Sequence, residues 1–397
     1  MNTELSAFDA VHPVGVTAVR PMARLLVRLP LCPQRAGRMG KAAKAATTPL
    51  SRLLDGVYSL ASTEVIRHQM PRRKPIGAGT ALLLAAALVS PDGRADEGGS
   101  SFWLPGQFAS MAAVPPTPGW SLNLMPYYYS GRMVESRILP QGRIVSSGND
   151  TQLVLLNVQP GYAPETRILG GQGFIGLGFG VGNERVRADN SISIGSLDAQ
   201  SDVSGSDNGG TDLSPYASLA WADGVYNWMV YLTGNIPVGS YDSQRLANIG
   251  LGHGAIDAGG GYTYFSPQSG REFSAVLGFT SNLENHHTDY KSGVDSHLDW
   301  SVSQAMSSNW LAGLAGYVYY QLSADRYPTT GALGELQFKT LGSFKSRVAA
   351  IGPQLGCTFD FNGGQGSLDV RGYWEFWAQN RPEGYALFAT LGIPLSD

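Results

Sequence analysis

The chain has 397 residues and a formal charge of −3, but its charge is split. Up to residue 95 it carries +8, and from residue 96 onward −11. The front part holds only 7 of the 51 glycines and 2 of the 40 aromatic residues, so the two parts do not belong to one folded body. An acidic remainder excludes nucleic-acid binding, which needs a basic face to neutralise phosphates, and its wealth of Gly, Tyr and Trp points to β structure.

Residues 1–69 are rich in Arg and Ala and show no strand alternation. Met70-Pro71-Arg72-Arg73-Lys74-Pro75 is a basic n-region, Ile76 to Val89 an apolar h-region, and Gly93-Arg94-Ala95 a small-residue cleavage site, together a secretory signal peptide over 70–95. The apolar run is about 14 residues, shorter than the roughly 18 to 20 of a spanning helix. A signal peptide works only at an N-terminus, so translation is expected to start at Met70; the alternative is a long extension or transit peptide. Residues 96–119 follow as a periplasmic leader or a plug. Pro105, Pro115, Pro116 and Pro118 keep this stretch out of a strand, while Phe102, Trp103, Leu104, Phe108 and Met111 favour burial inside a barrel.

From residue 120 the sequence breaks into twelve alternating segments: 120–130, 151–161, 171–185, 212–222, 225–237, 255–265, 271–283, 294–306, 309–323, 343–359, 366–379 and 385–396. Alternation over about 10 residues, with short turns and long loops taking turns between segments, is the signature of an antiparallel transmembrane β-barrel. Twelve strands put both termini in the periplasm. The expected long loops are 131–150, 186–211, 238–254, 284–293 and 324–342. A soluble sandwich would also show one polar face, but there Trp374 and Phe376 would be core. The chain ends Gly392-Ile393-Pro394-Leu395-Ser396-Asp397, without the terminal aromatic that the barrel-assembly machinery usually meets.

Parity places Asp295, His297 and Asp299 on one face of the eighth segment, Lys345 and Arg347 on the tenth, and Asp369, Arg371 and Glu375 on the eleventh. Facing a lumen, these form a ladder of opposite charges that either pairs off structurally or constricts a pore. The third long loop, with Tyr241, Arg245, Leu246, Ile249, Leu251 and His253, has a brief helical spacing and is expected to fold inward as a second constriction. Catalysis is not expected: Ser301 and Ser303 share a face with His297 but lie about 13 to 20 Å from it along a strand. His286-His287 with Asp289 resembles a metal cluster only loosely, so neither metal nor cofactor is expected.

Several blocks resemble the bacterial outer-membrane family associated with the meta-cleavage pathway of phenol degradation. They are DSQRLANIGLGHGAIDAGGGYTYF from Asp242, REFSAVLGFT from Arg271, GVDSHLDW from Gly293, FKSR from Phe344, IGPQLG from Ile351 and GYWEFWAQNRPEG from Gly372. The resemblance covers Phe102 to Pro394. It implies an outer-membrane barrel passing aromatic or other hydrophobic compounds, and carries over no catalytic or binding residues. The expected protein is thus a monomeric channel with outer-membrane lipid, lipopolysaccharide, the assembly machinery and a small hydrophobic, phenol-like solute as partners. The alternative is a structural or surface-interaction barrel with a closed lumen.

Overall fold

The computed structural model describes residues 101–139, 143–194, 197–326 and 345–395; the expected upstream extension and signal peptide lie outside them. The described strands are β1 (Gly119–Leu139), β2 (Arg143–Ala163), β3 (Gln172–Ile194), β4 (Leu197–Gly210), β5 (Ser214–Asp223), β6 (Tyr226–Asn235) and β7 (Ala255–Ser266). They continue with β8 (Arg271–Asn282), β9 (Val294–Ala305), β10 (Trp310–Gln321), β11 (Arg347–Phe361), β12 (Gly364–Gln379) and β13 (Glu383–Pro394). Strands pair antiparallel in sequence, and β1 meets β13 from Ser121↔Pro394 to Arg132↔Glu383, which closes the sheet. β4 pairs with the far half of β3 and β5 with its near half, so the two share one place in the wall. The result is a closed, twelve-stranded antiparallel barrel, and closure leaves no unpaired edge in the membrane.

Each of the twelve expected segments lies on a strand; residues 327–344, which hold most of the expected loop 324–342 and the start of the tenth segment, lie outside the described residues, and the described connections differ from expectation at three places. Residues 131–139, 143–150, 186–194 and 197–210 are not loops: β1 stays paired with β2 out to Leu139↔Arg143, and β3 with β4 out to Ile194↔Leu197. Beyond the bilayer both faces of a ribbon meet water, so polar runs such as Ser201-Asp202-Val203-Ser204 lose the alternation that marks a strand while the backbone ladder continues. The third connection forms no helix. Gly239, Gly250, Gly252 and Gly254 interrupt it, and a stretch this short cannot offset helix nucleation.

Parity sorts side chains as in a membrane barrel. Ile175, Val230, Leu277, Leu314, Trp374 and Phe376 are exposed on the outer wall, while their alternates Glu272, Asp299, Ser301, Arg371 and Glu375 are buried inside. Apolar outside and polar inside is the inverse of a soluble domain, because here the outer solvent is lipid. Tight turns lie at the end where the sheet begins and finishes. One is Asn362-Gly363, where both residues have positive φ (48° and 82°), the two-residue hairpin form that Asn-Gly favours. The opposite end carries the long ribbons and loops.

Residues 101–118, ahead of β1, run irregularly inside the barrel. Their prolines bar a ladder, so lumen side chains take up their backbone groups instead. The N–H groups of Gly106 and Phe108 go to Asp299, that of Met111 to Glu272 and that of Ala113 to Thr263.

Candidate solute path in the lumen

Climbing from the short-turn end, the first polar level is Glu272 on β8. Its Oε1 accepts the Met111 N–H (3.1 Å) and the Ser274 hydroxyl, and its Oε2 accepts Ser110 (2.8 Å) and Ser303 (2.5 Å). Gln354 on β11 donates to the same Ser110 hydroxyl. Above it, Asp299 on β9 accepts the Gly106 and Phe108 amides at 2.9 and 3.1 Å, and the Tyr373 hydroxyl donates to the Gly106 carbonyl at 3.0 Å. Arg371 is buried at this height. It donates to the Gln107 carbonyl (3.1 Å) and the Thr390 hydroxyl (2.7 Å), and its Nε lies 3.0 Å from Asp369. One guanidinium thus ties β12, β13 and the inner segment together.

The next level joins β6, β7, β8 and β9. His297 Nε2 stands 2.9 Å from Asp257 Oδ2, which also accepts the Thr280 hydroxyl at 2.5 Å; Tyr231 Oη is 3.4 Å from the same nitrogen. The Trp103 ring of the inner segment stacks on His297 with centroids 3.7 Å apart and planes 15° apart. Gly278 on β8 makes the meeting possible, since a Cβ there would stand 2.0 Å from the Tyr231 hydroxyl and 2.5 Å from the His297 ring. Nearer the mouth, Asp295 accepts the Asn282 amide at 2.8 Å, and Glu375 accepts the phenols of Tyr129 and Tyr317, each at 2.8 Å, and the Gly384 N–H at 2.9 Å.

Asp295, His297, Asp299, Asp369, Arg371 and Glu375 therefore line the interior, but not as a ladder of alternating charge. Lys345 is exposed at the mouth, donating to the Leu322 carbonyl, and Arg347 lies 4.5 Å over the Trp377 ring. The inward positions here are Ser346, just before β11, and Val348 and Ala350 on it, one residue out of phase with the expected Lys345 and Arg347. The register irregularity between Arg347 and Ala349 puts its extra residue on β12, so β11 keeps one parity throughout. With those two cations elsewhere, neutral hydroxyls, phenols and backbone N–H groups satisfy most of the carboxylates. No serine hydroxyl of the described residues bonds His297, so the constellation of a hydrolase is not assembled.

The third connection does turn inward, held by acids that the sequence gives no means of pairing with it. Asp212 accepts the N–H groups of Gly239 (2.7 Å) and Leu251 (2.9 Å) and the Asn235 amide (2.8 Å). Asp207 pairs with Arg245 at 2.6 Å and accepts the Ile249 N–H at 3.1 Å, while Glu184 accepts that of Asn248 at 2.9 Å. Tyr241 accepts the Asn285 amide (2.7 Å), and buried His253 sits against the Gly254 carbonyl (3.0 Å). Of this loop's expected residues, Ile249 and Leu251 reach the central space, whereas Tyr241, Arg245 and His253 brace the loop.

Between the inner segment and the β1–β6 wall lies a cavity of about 460 Å³. Phe102, Trp103, Phe108, Phe174, Tyr216 and Met229 are among its lining residues. A file of rings runs from it into the wall: Phe174, Tyr216, Tyr231, Trp103 and His297, with successive centroids 6.0, 6.1, 5.8 and 3.7 Å apart. Room for the cavity comes from β3, whose inward positions Gly176, Gly178, Gly180 and Gly182 carry no side chain.

The sequence profile described as "Putative MetA-pathway of phenol degradation" matches residues 140–391. The chain belongs to this family. Comparison with curated proteins gives no match. Among solved structures, this family member is similar to an outer membrane channel from Pseudomonas putida F1, at 11% identity and a TM-score of 0.46, over 73% of this chain and 98% of that one. It is also similar to a Pseudomonas aeruginosa FadL homologue (9%, TM-score 0.32, 69% and 88% covered) and to the CymD monoaromatic hydrocarbon channel (7%, TM-score 0.30, 71% and 90%). The chain is an outer-membrane β-barrel, closed and with an apolar outer wall.

Asp257, Glu272, Tyr231 and Ser110 are lumen side chains of these polar levels that the sequence reading did not single out. The first three sit at inward parity on the sixth, seventh and fifth expected segments, so applying the two-residue period to every segment finds them. Nothing in the sequence marks Ser110 or Asp212.

Proposed function

We propose that this protein carries small hydrophobic or aromatic compounds, phenol-like ones included, across the outer membrane by facilitated diffusion. The observation that carries this reading is the aromatic-lined cavity of about 460 Å³ beside the inner segment, a size suited to a small organic ligand. Rings and thioether offer weak apolar binding, and weak binding permits release onward. In this reading residues 101–118 act as a plug and the third connection as a second constriction. No energy source is needed, and the barrel works as a monomer among lipopolysaccharide and lipid.

The test is initial uptake of a labelled 4-alkylphenol at low micromolar concentration, comparing a deletion strain with the same strain expressing the chain from Met70. Slower uptake in the deletion, restored by complementation, is expected; equal uptake in both strains removes the transport reading. The dense bonding of the inner segment to Asp299, Glu272 and Arg371 favours one second reading, a structural barrel with a closed lumen. That reading is what equal uptake leaves standing.

A further inference from the structure

The level around His297 holds three buried polar atoms without hydrogen-bond partners: Trp103 Nε1, Asp257 Oδ1 and His297 Nδ1. Trp103 is 2% exposed, Asp257 0% and His297 1%. Buried polar atoms are nearly always paired, and each one left unpaired costs free energy, so three in one place call for a reason. They lie around one flat slot. Its floor is the His297 ring, Tyr231 and Phe108 flank it at 5.8 and 5.6 Å between centroids, and the Trp103 indole fills it. Because His297 Nε2 is engaged with Asp257 Oδ2, the carboxylate keeps its Oδ1 to spare, and the ring inside the slot does not offer its N–H to it.

We propose that Trp103 is a built-in stand-in for the ligand: the slot on His297 is a binding site for a planar aromatic ring bearing a hydroxyl donor. Such a ring displaces the indole, stacks on His297, and gives its O–H to Asp257 Oδ1. Trp103 also lines the central cavity, so a ring arriving there already touches the group it must move. Asp257 and His297 are reached only once the indole leaves. The rest of the inner segment stays bound through Gly106, Phe108 and Met111, and Gly106, at φ 84°, provides the joint about which the Trp103 end can turn. Binding and partial unplugging are then one event. The inference rests on the transport reading for its biological use, but the binding it describes exists without transport.

The experiment is calorimetric titration of the purified full chain in detergent with 4-methylphenol and with 4-methylanisole, which has the same ring and no donor. Displacing the indole taxes the measured affinity, so Trp103→Ala, which empties the slot, is expected to bind 4-methylphenol at least about tenfold more tightly than the unaltered chain. In that variant 4-methylphenol should exceed 4-methylanisole by about tenfold, the worth of one hydrogen bond to a charged acceptor. Trp103→Phe, which refills the slot with a ring, should bring affinity back toward the starting value and serves as the folding control. Asp257→Ala in the Trp103→Ala background keeps the stacking floor and removes the acceptor. It should lower the preference for the phenol. Affinity unchanged or weakened by Trp103→Ala, or equal binding of the two ligands in it, overturns the proposal. These results are independent of cellular uptake: binding as described with no uptake effect sinks transport and keeps the site, and uptake without slot binding does the reverse.

Discussion

Glu272 is 2% exposed, and four neutral donors hold it, two of them from the inner segment. Glu272→Ala leaves the Met111 N–H without its acceptor, at roughly 1–3 kcal/mol while it stays buried, and leaves the serine hydroxyls only one another and Thr263. The inner segment relieves that cost by leaving the wall. Single-channel recordings in planar bilayers should therefore show higher conductance for Glu272→Ala than for the unaltered chain, with Glu272→Gln, which keeps one acceptor, in between. Equal conductance in all three would mean that the segment does not depend on this carboxylate. Asp295, His297, Asp299, Asp369, Arg371 and Glu375 were legible in the sequence because their segments alternate cleanly. Lys345 and Arg347 were misread for a local reason: the inward positions beside them, Val348 and Ala350, are apolar, so the charges fall on the opposite parity and a polar-inward rule points the wrong way.

Among the elements, the third connection shows how a loop without secondary structure is held in place. Asp212 gathers Gly239, Leu251 and Asn235, fastening both ends of the loop to the start of β5 and the end of β6. Asp212→Ala should release it. Arg245, now tied to Asp207, then becomes a site for trypsin added to intact cells, and cleavage after Arg245 should run clearly faster in the variant. Identical cleavage rates would place the hold elsewhere. The inward turn of this loop was legible from its apolar residues, but the helix suggested by their spacing was not formed, since backbone N–H groups that a helix would use go to Asp207, Asp212 and Glu184. The outer halves of β1 to β4 went unread as strands for the opposite reason. Along runs such as Asp202-Val203-Ser204 both faces are exposed, and hydrophobic periodicity records only the difference between two solvents.

At the scale of the whole molecule, the outer wall is a hydrophobic belt, and a charge placed on it tests the orientation of every strand at once. Leu277→Arg, at the middle of β8 and facing out, should cost about 2–4 kcal/mol in unfolding from lipid vesicles, as such changes do near the midplane of barrels. A cost near zero would mean that this face does not meet hydrocarbon. The twelve-fold wall was readable because one physical rule, apolar toward lipid, applies to all its strands. The filling of the barrel was not, because it joins residues such as Gly106 and Asp299 that are 193 positions apart. That same separation sets an order in time. The inner segment is among the earliest parts of the described chain to be synthesised, yet its anchors on β8, β9 and β12 come much later, and the seam between β1 and β13 needs nearly the last residues of all. Contacts of such high sequence separation form late. Until the seam zips, residues 101–118 have no interior to occupy, and once it has zipped they are enclosed by a ring with no free edge. The nascent chain must therefore keep its prolines and bulky rings at the threshold while the wall assembles around them, and the finished barrel can loosen this segment only along its own axis.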